Sequence, residues 1–133
     1  LGLASSQEDR PVYCFDGDGA ALMHMGSLAI IGQSNRDNFV HILLNNGVHD
    51  SVGGQSTVGF DIDFCKVADA CGYSFVVKIK NKDEIKKAIE KSKKTKGPCF
   101  IEIQTIPGNK NNIGRPTSSP KENKENLIKF LEN

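Results

Sequence analysis

Two short polar motifs carry residue types that bind phosphate groups and hard metal ions. Gly17-Asp18-Gly19 is followed, after 25 intervening residues, by Asn45-Asn46. Glycines let backbone N–H groups approach an oxyanion without interference from a Cβ, and carboxylate and amide oxygens suit Mg²⁺ or Ca²⁺. Each motif alone is a weak signal, because Gly, Asp and Asn also dominate ordinary turns. Together they indicate a site for a phosphate group and a divalent metal ion.

The elements that must position these motifs alternate along the chain. Strands are predicted at Val12–Phe15, Phe39–Leu44, Tyr73–Ile79 and Cys99–Ile103. Helices are predicted at Ala20–Ile31, Phe64–Ala70, Lys82–Lys94 and from Pro120 onward, the last with Leu127, Ile128 and Leu131 facing the core. This order predicts an α/β fold in which residues 1–133 form a single domain, with a parallel sheet and helices on both faces.

Both motifs follow directly on predicted strands. In parallel sheets, ligands bind on the loops beyond the carboxyl ends of the strands, so we expect the two motifs to lie side by side. Residues 45–60 contain four glycines among polar residues, and a loop of that length inside a compact domain is usually functional or disordered.

The two motifs and their spacing resemble the signature of thiamine-diphosphate-dependent enzymes, which have a Rossmann-like three-layer fold. The resemblance implies that Mg²⁺ is held by Asp18, Asn46 and the backbone carbonyl of Val48. It also implies that the main-chain amides of Gly19 and Ala20 face the diphosphate of the cofactor. The cofactor-binding residues predicted in this way are Gly17, Asp18, Gly19, Ala20 and Asn46.

Within that family, residues 45–57 and the later Gly114-Arg115-Pro116-Thr117 are similar to the phosphonopyruvate decarboxylases. The implied activity is that of a carboxy-lyase of phosphonate biosynthesis, which converts phosphonopyruvate to phosphonoacetaldehyde and CO₂. The sulfopyruvate decarboxylases share much of the pattern, so sulfopyruvate or another 2-keto acid is an alternative substrate.

Two further side chains are candidates for contact with the substrate. His49 lies beside the predicted metal ligands and could transfer protons or position the substrate, or it could be an exposed loop histidine without a role. Arg115 could bind carboxylate and phosphonate groups bidentately, or it could be an ordinary surface arginine. Asp50 is expected to shape the loop more than to contact the substrate.

The sequence opens without Met, which we interpret as a cut inside a longer protein. In the family, a glutamate on a pyrimidine-binding domain activates the cofactor, and that domain is not recognisable in these residues. The resemblance therefore predicts that the chain supplies the diphosphate- and Mg²⁺-binding half of the enzyme and is inactive alone. It also implies a homo-oligomer whose site lies between the two kinds of domain.

Composition excludes several other classes. No apolar run approaches the roughly 20 residues that span a bilayer, and no signal peptide is recognisable. The four cysteines lack zinc-site spacing and are expected to be reduced, which favours the cytoplasm. Lys and Arg are concentrated in residues 78–133, but few aromatic residues lie among them, so nucleic-acid binding is not expected. The alternative outside enzymology is a non-catalytic, Rossmann-like binding or assembly module.

Overall fold

A four-stranded parallel sheet forms the centre of the protein. The computed structural model describes residues 1–108 and 111–132. The strands are β1 (Val12–Gly17), β2 (Phe39–Asn45), β3 (Phe75–Ile79) and β4 (Cys99–Gln104). Their order in the sheet is β1-β2-β4-β3, so β2 and β4 are central and almost entirely buried along their length. The predicted parallel α/β architecture is confirmed.

Six helices surround this sheet within the described residues. They are α1 (Gly2–Ser6), α2 (Asp18–Met23), α3 (Gly26–Gly32), α4 (Phe64–Cys71), α5 (Ile85–Ser92) and α6 (Pro120–Glu132). Two short 3₁₀ turns lie at Asp50–Val52 and Lys82–Glu84. The sequence did not predict α1, which is only five residues long.

The two faces of the sheet carry separate hydrophobic cores, because successive side chains of a strand point to opposite faces. One core joins Leu43 and Phe100 to Ala21, Leu28 and Phe64 of the helices. The second core joins strand residues to α5, and its buried members are Val40, Ile42, Ile79, Ala88, Cys99 and Ile101. Helices therefore cover both faces, as predicted.

The single helix predicted for Ala20–Ile31 is wrong, because two short helices occupy that segment. Helix α2 ends at Met23, and the next residue, His24, has non-helical backbone angles (φ −128°, ψ 37°). Helix α3 begins at Gly26, a poor helix former. The break still lets Ala21 and Leu28, from different helices, reach the same core.

Helix α4 agrees with the predicted Phe64–Ala70 helix to within one residue, and local chemistry fixes both of its ends. The Asp63 carboxylate accepts a hydrogen bond from the Lys66 backbone N–H at 3.2 Å, and Gly72 ends α4 with a left-handed φ of +97°. The next predicted helix, Lys82–Lys94, begins instead as a 3₁₀ turn, and α5 covers Ile85–Ser92.

The expectation that α6 faces the core is wrong, because none of its residues is buried. Leu127 and Ile128 are 46% and 43% exposed. Phe130 of this helix contacts Arg10, whose guanidinium lies 5.2 Å from the centre of the ring. Its start is as predicted, since the Ser119 and Glu122 side chains cap it reciprocally.

All four cysteines are free thiols, with Cys99 buried and the others half-buried. Burial raises the pKa of the Cys99 thiol to about 11. Within residues 1–108 and 111–132, none of the helices combines the length and apolar character needed to cross a membrane.

Candidate functional site

The two polar motifs meet at the carboxyl ends of β1 and β2. These strands are neighbours, with Gly17 paired to Leu44, so the residues that follow them emerge side by side. The backbone N–H of Asn46 donates to Asp18 Oδ1 at 3.3 Å. The structure therefore brings together the two residues that sequence spacing singled out.

The Asp18 carboxylate is almost completely buried, with 1% of the residue exposed. The Thr57 hydroxyl donates to its Oδ2 atom, and the Gly59 N–H donates in turn to Thr57 Oγ1 at 3.0 Å. Among the described residues no lysine, arginine or histidine forms an ion pair with this carboxylate. A buried carboxylate without a positive partner is costly, and a bound cation would offset that cost.

The Asn46 side chain organises the start of the loop. Its Oδ1 accepts a hydrogen bond from the Val48 N–H at 3.1 Å, and its Nδ2 donates to Asp50 Oδ2 at 2.9 Å. The same Asp50 oxygen accepts from the Gly108 N–H at 2.9 Å. Asp50 thus shapes the loop, as expected, and ties it to the segment that follows β4.

His49 packs against the glycine turn. A Cβ on Gly19 would overlap the His49 ring, whereas a Cβ on Gly17 would touch nothing. Glycine is therefore required at position 19 for the ring to lie where it does. His49 is half-buried rather than a fully exposed loop residue, and its backbone carbonyl accepts from the N–H groups of Val52 and Gly54.

Residues 45–60 fold back on themselves instead of forming an extended loop. Val48 and Ser56 form an antiparallel bridge, and the Thr57 N–H donates to the Gly47 carbonyl at 2.8 Å. Gly47 has a left-handed φ of +72°, and a Cβ there would overlap the Phe60 ring. This folding returns Thr57 to Asp18.

Sequence reasoning missed a buried polar network beneath the site. The Asn45 amide nitrogen donates to Glu102 Oε1 at 2.9 Å and to the Gly59 carbonyl at 2.6 Å. Glu102 is fully buried, and its Oε2 lies 3.1 Å from Lys78 Nζ. A glutamate in the middle of the apolar strand Cys99–Gln104 was a usable signal, because a fully buried Glu is rare unless it is paired.

Cys65 also borders this network. Its thiol donates to Glu102 Oε2 at a distance of 3.5 Å. Burial raises the pKa of the Cys65 thiol to about 12, and the nearby Glu102 carboxylate acts in the same direction. Cys65 therefore remains a protonated thiol at neutral pH and adds no negative charge beside the glutamate.

His41 is buried on the same face of the sheet. Its Nδ1 lies 3.2 Å from the Tyr73 hydroxyl. Its Nε2 lies 3.4 Å from Asp16 Oδ2 but has no well-formed hydrogen bond within the described part of the chain. Burial lowers the pKa of His41, although Asp16 acts in the opposite direction.

Arg115 is not brought into this cluster. It lies in the exposed segment after β4, and it forms no ion pair with any described residue. Ala20 is exposed in the first turn of α2, next to Gly19. The predicted residues that the fold brings together are Asp18, Gly19, Asn46, Val48 and His49.

Comparison with known proteins shows which family this chain resembles over most of its length. The family model of the thiamine pyrophosphate enzyme C-terminal TPP-binding domain matches residues 1–103. Phosphonopyruvate decarboxylase of Streptomyces viridochromogenes is 42% identical over 113 residues, which are 85% of this chain and 28% of that protein. Sulfopyruvate decarboxylase of Methanosarcina acetivorans is 36% identical over 119 residues, which are 89% of this chain and 30% of that protein.

Among solved structures, the fold resembles the thiamine diphosphate-dependent 4-hydroxybenzoylformate decarboxylase of Rhodococcus jostii RHA1. The TM-score is 0.68 at 22% identity, over 83% of this chain and 22% of that one. At this identity the likeness concerns the fold alone. The chain spans less than a third of the length of each of these three proteins.

Proposed function

We propose that this chain, which belongs to the thiamine pyrophosphate enzyme family through its C-terminal TPP-binding domain, binds thiamine diphosphate and Mg²⁺ as part of a 2-keto acid decarboxylase. The observation that carries the proposal is the juxtaposition of Asp18 and Asn46 at the ends of adjacent strands, linked by a 3.3 Å hydrogen bond. We also propose that a pyrimidine-binding domain of the same enzyme completes the site, and that the enzyme is a homo-oligomer.

The residues present fit a bound magnesium ion. Asp18 supplies a buried carboxylate without a positive partner among the described residues. Asn46 supplies an amide oxygen that already accepts one hydrogen bond, from Val48, and retains a second lone pair. With the Val48 carbonyl, these groups form the all-oxygen donor set that Mg²⁺ prefers.

The glycine turn would receive the diphosphate. A Cβ on Gly17 would meet nothing within 4 Å, and the absence of a side chain on the turn glycines would let phosphate oxygens approach the amides of Gly19 and Ala20. When bound, thiamine diphosphate supplies the electron sink that lets a 2-keto acid lose CO₂. The protein's part is to hold the cofactor in place through the turn and the metal ligands.

His49 and Arg115 are proposed to act on the substrate. The His49 ring lies against Gly19, so it is positioned to hold the substrate or to carry a proton at a ring nitrogen near the diphosphate turn. Arg115 is exposed and forms no ion pair among the described residues. Its guanidinium is therefore available to bind an anionic group of the substrate.

Phosphonopyruvate is the substrate we propose. The Streptomyces viridochromogenes phosphonopyruvate decarboxylase is more similar to this chain, at 42% identity, than the Methanosarcina acetivorans sulfopyruvate decarboxylase, at 36%. In the proposed reaction the bond between the keto carbon and the carboxylate breaks, CO₂ leaves, and a proton is taken up at the former keto carbon. A cytoplasmic location remains a prediction.

The test is to incubate the full-length protein with thiamine diphosphate, Mg²⁺ and either phosphonopyruvate or sulfopyruvate. Formation of phosphonoacetaldehyde, followed by ³¹P NMR, is expected, and omission of the cofactor should abolish it. If an aldehyde forms from sulfopyruvate but not from phosphonopyruvate, the substrate is sulfopyruvate and the proposed substrate is wrong. Absence of any cofactor-dependent loss of CO₂ from either acid, or from pyruvate, would contradict the decarboxylase assignment.

A further inference from the structure

A continuous chain of hydrogen bonds runs from an ion pair between the buried Glu102 and the half-buried Lys78 to the proposed metal site. It begins at Lys78 and Glu102, whose charged atoms lie 3.1 Å apart, and continues from Glu102 to the Asn45 amide nitrogen at 2.9 Å. These three residues lie on neighbouring strands and project from the same face of the sheet, since Lys78 pairs with Glu102 and Glu102 pairs with Leu43.

From Asn45 the chain reaches Asp18. The same amide nitrogen donates to the Gly59 carbonyl at 2.6 Å, the Gly59 N–H donates to Thr57 Oγ1 at 3.0 Å, and the Thr57 hydroxyl donates to Asp18 Oδ2. The direction of each bond is fixed. The Asn45 nitrogen faces two acceptors and can only donate, and Thr57 Oγ1 accepts from the Gly59 N–H and donates its own proton to the Asp18 carboxylate.

This arrangement fixes the orientation of the Asn45 amide. With its nitrogen held by Glu102 and Gly59, the Asn45 Oδ1 atom must face the other way. It is buried and has no hydrogen-bond partner among the described residues. A Cβ on Gly59 would lie 2.5 Å from Asp18 Oδ2 and 2.7 Å from Asn45 Oδ1, so both oxygens border the same small space.

We propose that Glu102 is a positioning residue for the metal site and acts through Asn45. It holds the Asn45 amide, and thereby the Thr57–Gly59 segment, so that the Asp18 carboxylate is oriented before the cofactor arrives. This inference rests on the proposed function, because Asp18 is the metal ligand in that proposal. Lys78 balances the charge of the buried glutamate, which would otherwise be costly.

The alternative is that the ion pair only stabilises the sheet. Two double variants of the full-length protein separate these roles: Lys78→Met with Glu102→Gln, and Lys78→Met with Glu102→Leu. Neither retains the charges of this pair, and neutral replacement of both partners, unlike removal of one, leaves no buried charge unpaired. They differ in one respect, since Gln keeps an acceptor for the Asn45 amide and Leu does not.

The first readout is the dissociation constant of Mg²⁺ in the presence of thiamine diphosphate, measured by calorimetry beside the thermal midpoint. The Gln variant should bind Mg²⁺ about as tightly as the wild-type protein, whereas the Leu variant should bind at least about tenfold more weakly, the loss typical of residues that orient metal ligands. Equal affinities in the two double variants, at similar thermal midpoints, would overturn the proposal.

The second readout needs neither cofactor nor metal. The side-chain NH₂ resonances of Asn45 in a ¹H–¹⁵N NMR spectrum should be preserved in the Gln variant and shifted, with faster hydrogen exchange, in the Leu variant. Unchanged resonances in the Leu variant would contradict the positioning role even if the wild-type protein failed to bind thiamine diphosphate. Failure to bind thiamine diphosphate would contradict the proposed function but not the positioning role of Glu102, so the experiments test the two claims separately.

Discussion

At the scale of single residues, Asp50 holds the loop that carries the proposed metal ligands. One of its oxygens accepts hydrogen bonds from the Asn46 side chain and from the Gly108 backbone, both at 2.9 Å. Because the Asn46 nitrogen is engaged in this way, its amide oxygen is directed toward the Val48 end of the turn. The orientation of one proposed ligand therefore depends on a neighbour that need not touch the metal.

We predict that Asp50→Ala weakens Mg²⁺ binding in the presence of thiamine diphosphate by about tenfold, as expected for loss of a group that orients a ligand. Asp50→Asn is the matched control, because its amide oxygen can still accept both hydrogen bonds. Calorimetry without substrate separates this role from a role in substrate contact. If the Ala and Asn variants bind Mg²⁺ equally well, Asp50 does not orient Asn46.

His41 makes the stability of the protein depend on pH. Its pKa is lowered by burial in the folded state, so the unfolded chain, in which the imidazole pKa is about 6.5, takes up a proton first. The free energy of unfolding should therefore fall as the pH drops below about 6.5, until the folded-state pKa is passed. Urea unfolding between pH 7.5 and about 5 measures this effect.

His41→Gln removes the titrating group and serves as the control for this prediction. Its free energy of unfolding should vary less over the same pH range. Asp16 and Tyr73, the polar neighbours of His41, remain in both proteins. An identical pH profile in the variant would show that other groups cause the dependence.

The sequence predicted the proposed metal ligands of the site but not the residues that contact and orient their neighbours. Asp18 and Asn46 follow recognisable strands, so their adjacency follows from the rule that ligands bind beyond the carboxyl ends of parallel strands. Thr57 and Glu102 contact Asp18 and Asn45 across 39 and 57 positions of the chain. Those contacts depend on how residues 45–60 fold back, which local sequence patterns do not determine.

At the scale of elements, α3 and α4 pack closely against each other. A Cβ on Gly32, the last residue of α3, would overlap the backbone carbonyl of Cys71. The two helices thus approach each other with backbone against backbone, and a close approach of this kind requires a residue without a side chain.

We predict that Gly32→Ala lowers the free energy of unfolding by about 1–3 kcal/mol, the usual cost of overpacking. Gly26→Ala, in the first turn of the same helix, is the control, because a Cβ there meets nothing within 4 Å. It should be neutral or slightly stabilising. Urea unfolding of both variants tests the contact. Equal stabilities would show that the Cys71 carbonyl does not lie close enough to Gly32 to exclude a side chain.

The same elements show why helix prediction succeeded for α4 and failed for Ala20–Ile31. Asp63 and Gly72 specify the ends of α4 by local chemistry, through a side-chain cap and a left-handed glycine. The break after α2 depends on the non-helical conformation of His24, which the apolar spacing of that segment does not reveal.

At the scale of the whole molecule, stability is concentrated in the two cores on either side of the sheet. Phe100 is fully buried in one of them, in contact distance of the His41 and Tyr73 rings. Helix α6, in contrast, has no buried residue. Its apolar side chains were expected to face the core because amphipathic spacing shows that a helix has an apolar side, but not what covers that side.

We predict that removal of residues 118–133 changes the free energy of unfolding by less than about 1 kcal/mol, since surface groups contribute little. Phe100→Ala should instead cost about 3–5 kcal/mol, as expected for a large aromatic residue in a close-packed core. Urea unfolding of the two variants makes the comparison. A loss of several kcal/mol on removal of α6 would show that this helix belongs to the stable core.

The most direct test of the proposed function is a calorimetric titration of the full-length protein with thiamine diphosphate. It should be carried out in Mg²⁺ and in EDTA, on the wild-type protein, on Asp18→Ala and on Asp83→Ala, which removes an exposed carboxylate from the Lys82–Glu84 turn. We expect binding in Mg²⁺ to the wild-type protein and to Asp83→Ala, and none in EDTA or to Asp18→Ala. Binding that survives the loss of Asp18 or of the metal, or no binding to the wild-type protein, would contradict the assignment.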